Sequence, residues 1–178
     1  IERVDIRCQL SPHILPSPKA LAVTGVRPSQ LENNNLPSAF EFAQRIQEFT
    51  EKWAPAIWIG YNSIAFDEAM LRQMFYQNLQ PNIFATQLHN NTRLDVMKMV
   101  FAVHAEAPEI LKWPINEKGK VSFKLDQLAP LNGFHAHNAH DALGDVEATI
   151  FIIGKIKKQR PDLYQKLFDA RDKDRNLQ

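Results

Sequence analysis

The stretch "APAIWIGYN" (54–62) constrains this chain more than any other. A short, near-continuous apolar run is the pattern of a strand buried on both faces, and such a strand needs helices to cover it. The flanking sequence supplies them. Ser38 reads as the N-cap of a helix reaching about Lys52, with Phe42, Ile46, Phe49 and Trp53 recurring at helical spacing. Asp67 leads into a second helix carrying Leu71, Met74 and Phe75. A buried strand delivered between helices argues an α/β architecture.

The rest of the chain extends that pattern. Val4 to Leu10 reads as a strand, and "SPHILPSPKALAVTGVRPSQ", with its four prolines, as mostly irregular. Arg93 to His104 suggests a third helix, and "NEKGKVSF" an exposed turn or hairpin. Lys124 to Leu131 makes a short helix closed by Asn132-Gly133, a C-cap signal. A long helix is expected from about Asp141 to Gln159, with Val146, Ile150, Ile153 and Ile156 on one face, and Pro161 starts a final charged helix. No internal repeat or low-complexity tract is visible.

Composition sets limits on function. A length of 178 residues suits one compact domain. A hydrophobic fraction of 44% can fill a sizeable core, so disorder is not expected. The net charge of +1 neither demands nor excludes nucleic acid, because a locally basic surface can hide in a balanced total. Cys8 is the sole cysteine, which removes any disulfide framework or paired-cysteine metal site and fits a reducing cytosol. No apolar run approaches the ~20 residues of a membrane span, so no membrane partner is expected. The chain opens "IERVDIRCQL", without Met, and is expected to be a fragment of a longer protein.

Two stretches carry candidate chemistry. In "GYNSIAFDEAMLRQMFY" the buried strand delivers Asn62 and then, through a short loop, Asp67 at the mouth of a helix. Such strand-to-helix junctions commonly bear ligand-binding residues in open α/β sheets. The alternative is that Asp67 only complements the helix N-terminus. In "HNAHDALGDVEAT" His140 precedes the helix start, and Asp141 and Asp145 fall one turn apart on one face. These acids can simply stabilise the first turn. A transition-metal cluster of His135, His137 and His140 is disfavoured, because no Cys or carboxylate stands at zinc-ligand spacing.

Taken in order, the two stretches resemble the histidine-bearing subgroup of the DEDD exonuclease superfamily, which has the ribonuclease-H-like fold of proofreading exonucleases. His140 and Asp145 match its late His-x-x-x-x-Asp, and Asp67 in "NSIAFD" matches its middle acid. The likeness runs on through "ALAVTGVRPSQ", "TRLDVMKM", "WPINEKGKVSFKLDQLAPLNG" and "NAHDALGDVEATI", over nearly the whole chain. It implies a mixed sheet flanked by helices. The family's early Asp-x-Glu, on its first strand, has no match here, since Asp5 in "VDIRC" falls where a third strand belongs. The resemblance therefore implies that the first two strands and the first metal-binding motif lie in roughly 40 residues upstream, and that residues 1–178 alone are inactive.

What the resemblance implies for function is a 3′-to-5′ exonuclease releasing mononucleotides from single-stranded DNA. Its partners would be a free 3′ end and single-strand-binding protein. Two Mg²⁺ or Mn²⁺ ions, hard cations that prefer carboxylate oxygens, would be held in part by Asp67 and Asp145. His140 would take the proton of the attacking water. Asp141 would be an orienting neighbour, and Thr24, Gly25 and Val26 would line the pocket for the terminal nucleotide with Asn62 and Phe66. Phe66 could equally be core. Two rivals stay open: a 3′ exoribonuclease using the same site, and a catalytically silent nucleic-acid-binding domain.

Overall fold

The computed structural model describes residues 2–135 and 142–171. Its elements in chain order are α1 (Pro18–Thr24), α2 (Pro28–Leu31), α3 (Ala39–Lys52), β1 (Ile57–Gly60), α4 (Asp67–Gln77), β2 (Thr92–Asp95), α5 (Val96–Glu106), α6 (Leu125–Leu131), α7 (Ala142–Gln159) and α8 (Pro161–Asp169). It is a helix-rich α/β fold with a small parallel sheet, β1 pairing with β2 in the register Ile57↔Thr92 to Gly60↔Asp95. The chain forms two compact units, one holding the residues up to Ala56 with Glu68–Asn91, the other Ile57–Asp67 with the residues from Thr92 onward.

In the first unit, α3 starts as expected. The Ser38 hydroxyl accepts the Glu41 N–H while the Glu41 carboxylate accepts the Ser38 N–H at 2.8 Å, a reciprocal capping box. Its buried stripe is Ala43, Gln47 and Thr50, with the larger Phe42, Ile46 and Phe49 half-buried beside it. Ala43, Phe75 and Ala85 form a small core flanked by Ile46, Leu71, Met74 and Ile83. Asn91 is buried and fully used, donating to the carbonyls of Thr50 and Ala85 and accepting the Ala56 N–H.

Two expectations fail in this unit. The proline-rich stretch is not mostly irregular: Pro18 and Pro28 each sit in the first turn of a short helix, where a missing N–H costs nothing and the fixed φ helps. Val4 to Leu10 forms no strand among the described residues. A strand exists only through a ladder, and the backbone bonds here run instead from Gln9 N–H to the Pro37 carbonyl and from Leu10 N–H to the Leu31 carbonyl.

The second unit holds the larger core. Helix α5 buries Val96, Met99, Val100 and Val103, an i, i+3, i+4, i+7 stripe, against Leu128 of α6, Ile152 and Ile156 of α7 and Leu163 of α8. Each such side chain contributes about 1.5–3 kcal/mol by leaving water. The helix expected over Arg93–His104 is corrected at its start: residues 92–95 are β2, and Asp95 caps α5 by accepting the Met97 N–H. Helix α7 is also corrected. It buries Ala148, Thr149, Ile152 and Ile156, whereas Val146 and Ile150 are 52% and 62% exposed, so the packed stripe lies beside the one read from the sequence.

The turn at "NEKGKVSF" is a hairpin closed by the antiparallel bridge Ile115↔Val121. Helix α6 ends at Asn132, followed by Gly133 at φ 100°, the left-handed conformation that glycine adopts without strain. Among the described residues no helix is long and apolar enough to cross a membrane.

Candidate active site

The β1–α4 loop is held by a residue the sequence reading passed over. Asp95, buried at the end of β2, accepts the N–H of Asn62 at 2.8 Å through one oxygen and that of Ile64 at 3.3 Å through the other. With the Met97 N–H, its carboxylate satisfies three backbone donors. Asn62 takes a left-handed backbone, φ 58°, which asparagine tolerates better than most residues. Reading Asp95 inside a helix hid it. The signal was present, because an Asp directly before an apolar helix stripe is a capping pattern.

On this loop stand three of the sequence-predicted site residues. The Asn62 carbonyl accepts the Phe66 N–H at 3.1 Å, tightening the turn that leads into α4. Phe66 is 62% exposed, which removes the core alternative for its ring. Asp67 is the first residue of α4 and is exposed. Tyr61, just before the loop, donates its hydroxyl to the Phe123 carbonyl, and burial together with the Asp95 charge pushes that hydroxyl's pKa up. The loop has no slack at its start: a Cβ built at Gly60 would fall 2.5 Å from the Ser63 Cβ.

Asp145 is exposed on the first turn of α7, where its carbonyl accepts the Thr149 hydroxyl at 2.7 Å. Asp67 and Asp145 belong to the same compact unit. His140, the expected base, and Asp141 lie outside the described residues. Among the described residues no group of three or more His, Cys, Asp or Glu gathers as a metal site. The donors expected at 67 and 145 are hard carboxylate oxygens, which fit Mg²⁺ or Mn²⁺ in kind, but two carboxylates are fewer than an all-protein cage would need.

Thr24, Gly25 and Val26 belong to the first unit and close α1. Gly25 is its C-cap at φ 68°, and its N–H bonds the Leu21 carbonyl at 2.9 Å. No atom lies within 4 Å of where its Cβ would be, so the backbone conformation itself calls for glycine here. The Thr24 hydroxyl donates to the Ala20 carbonyl and accepts the Val26 N–H.

The family model described as Exonuclease matches residues 1–153, and the chain belongs to that family. Within it the chain is similar to exodeoxyribonuclease I. It is 35% identical to the *Escherichia coli* K12 protein over 166 residues (93% of this chain, 34% of that one) and 36% identical to the *Haemophilus influenzae* protein over 174 residues (97% and 36%). The solved structure of *E. coli* exonuclease I with a dA16 oligonucleotide superposes with a TM-score of 0.87 at 34% identity, covering 96% of this chain and 36% of that one. Similar scores, 0.86 and 0.87, hold for an ExoI/SSB-Ct complex and for the zinc-bound form of the *E. coli* ExoI–ssDNA complex, each 32% identical and covering 97% of this chain and 36% of theirs. The chain thus spans about a third of the length of these relatives. The expected likeness and the α/β fold are borne out.

Proposed function

We propose that the protein carrying this chain is a metal-dependent 3′-to-5′ exonuclease that degrades single-stranded DNA to mononucleotides in the cytoplasm, with residues 1–178 in its exonuclease domain. The observation that carries this reading is the pair Asp67 and Asp145, exposed acids of one compact unit, each in the first turn of a helix, which the resemblance matches to the family's metal-binding acids. Relatives described with a dA16 oligonucleotide, with SSB-Ct and with zinc support single-stranded DNA, single-strand-binding protein and a divalent cation as partners.

The residues divide the work as follows. Asp67 and Asp145 would hold Mg²⁺ or Mn²⁺ with an upstream Asp-x-Glu. The ions supply charge stabilisation on the phosphoryl and leaving oxygens. His140 takes the proton of the attacking water, with Asp141 as its neighbour at the helix start. Phe66 offers its exposed ring, beside Asn62, to a base of the strand.

The test compares a linear and a circular single strand of the same sequence, incubated with the natural protein and Mg²⁺. A pocket that takes one terminal nucleotide leaves the circle intact while the linear strand is digested from its 3′ end. Comparable cleavage of the circle would replace this reading with an endonuclease.

A further inference from the structure

The hairpin between α5 and α6 carries an unneutralised row of cations. Between Lys112 and Lys124 the sequence "KWPINEKGKVSFK" has four lysines and one acid, Glu117. All four lysines are exposed, and among the described residues none of their ammonium groups has an acid partner. Three lysines elsewhere in the chain are engaged by oxygen partners. Lys52 pairs with Glu2, Lys166 with Glu106, and Lys155 donates to the Asn132 carbonyl.

The backbone presenting these charges is set in advance. The Asn116 side chain accepts the N–H of both Lys118 and Lys120, at 2.9 and 3.0 Å, and Gly119 turns the tip at φ 71°. The Asn116 N–H reaches the Lys120 carbonyl and the Ser122 N–H the Pro114 carbonyl. At the base, the buried Asn132 amide holds both the N–H and the carbonyl of Lys112. Underneath, the Phe123 ring packs edge-on against Phe101 and His104, and its carbonyl accepts the Tyr61 hydroxyl. Tyr61 directly precedes Asn62, so the hairpin is hydrogen-bonded to the loop that carries Asp67.

A rigid, unpaired cationic arm tied to a candidate catalytic loop suits a polyanion that passes the site. We infer that the 112–124 hairpin is a phosphate-contacting arm for the single-stranded DNA, with Lys118 and Lys120 at its tip and Lys112 and Lys124 at its base. This rests on the single-stranded DNA reading above. The arm contacts the sugar-phosphate backbone, so it adds affinity without sequence preference.

The experiment measures the salt dependence of binding of the protein to a fluorescein-labelled oligothymidylate in EDTA, where no cleavage occurs. Lys118→Gln/Lys120→Gln is compared with Lys158→Gln/Lys166→Gln, which removes equal charge from exposed positions on α7 and α8. The hairpin pair should flatten the plot of log K against log salt by about 1.4, at ~0.7 for each lost contact on a single strand, and the other pair should leave it unchanged. Adding Lys112→Gln and Lys124→Gln should double the loss. An unchanged slope for the hairpin variants, or an equal loss for the α7/α8 pair, overturns the arm while leaving the nuclease reading intact. Failure of the unsubstituted protein to bind the oligonucleotide overturns both.

Discussion

Asp95 closes the end of β2 by accepting the backbone N–H of Asn62, 33 positions earlier in the chain, at 2.8 Å across the parallel pair. One buried carboxylate thereby sets both the strand-end loop that carries Asp67 and the first turn of α5.

Replacing it should be costly. Asp95→Ala leaves the amides of Asn62, Ile64 and Met97 without their acceptor, and we expect a loss of about 3 kcal/mol from charge-assisted bonds and stranded donors. Urea unfolding with an unchanged slope and a lowered midpoint is the check. A change below ~0.5 kcal/mol, the size of an ordinary surface substitution, would show that the clamp holds nothing.

Helix α7 offers a paired test of its corrected face. Ile152→Ala, at a position with no exposure, should destabilise by about 2–5 kcal/mol. Ile150→Ala, 62% exposed, should stay within ~0.5 kcal/mol. Thermal midpoints of the two variants would separate clearly; equal losses would return the packed stripe to Val146 and Ile150.

The capping box of α3 makes stability depend on acid. The backbone N–H and hydroxyl of Ser38 hold the Glu41 carboxyl below its ordinary value. The folded state therefore prefers the charged form: the contribution is present above the ordinary carboxylate range and disappears as pH falls through the lowered folded value. Between about pH 6 and 3 the midpoint of Glu41→Gln should fall less steeply than that of the unsubstituted chain, because a Gln at this position caps without titrating. Parallel curves would remove Glu41 from the acid response.

For catalysis, His140→Ala in the natural protein should lower kcat by about 10²–10⁴, the usual worth of a positioned base. Asp67→Asn and Asp145→Asn should do the same through the metal. Excess chelator should abolish cleavage yet leave oligonucleotide binding in place, since phosphate contacts do not need the ions. Turnover that persists in chelator would sink the metal-dependent reading.

Elements were legible where local chemistry decides them. Ser38 at the start of α3 and the Asn132-Gly133 stop fold as read, because each is fixed by residues within a turn of one another; the strand at Ile57–Gly60 forms where read but is not buried on both faces, Ile59 being 46% exposed. Readings failed where distant partners decide. Val4 to Leu10 has strand-like residues but no ladder among the described ones, and Asp95 owes its importance to amides 31 and 33 positions away. On α7 the later half of the read stripe packs, Ile156 in the core and Ile153 against it, but at the start of the helix Ala148 and Thr149, small and unremarkable in sequence, face the core while Val146 and Ile150 do not. That Asn62, Phe66 and Asp67 share one loop was legible because one strand leads directly into it.

Gly60 touches no substrate atom in any reading given above, yet its missing side chain governs the loop. Any Cβ there must displace Ser63, and Ser63 lies between the two residues, Asn62 and Ile64, whose amides Asp95 grips. In a saturation scan scored by survival of activity, position 60 would therefore look as intolerant as one of the proposed metal-binding acids, Asp67 or Asp145. A reader ranking positions by such scores would mistake a spacing requirement for chemistry. The two separate on one substitution: Gly60→Ala should spare the core and disturb the loop, moving the activity score far more than the melting temperature.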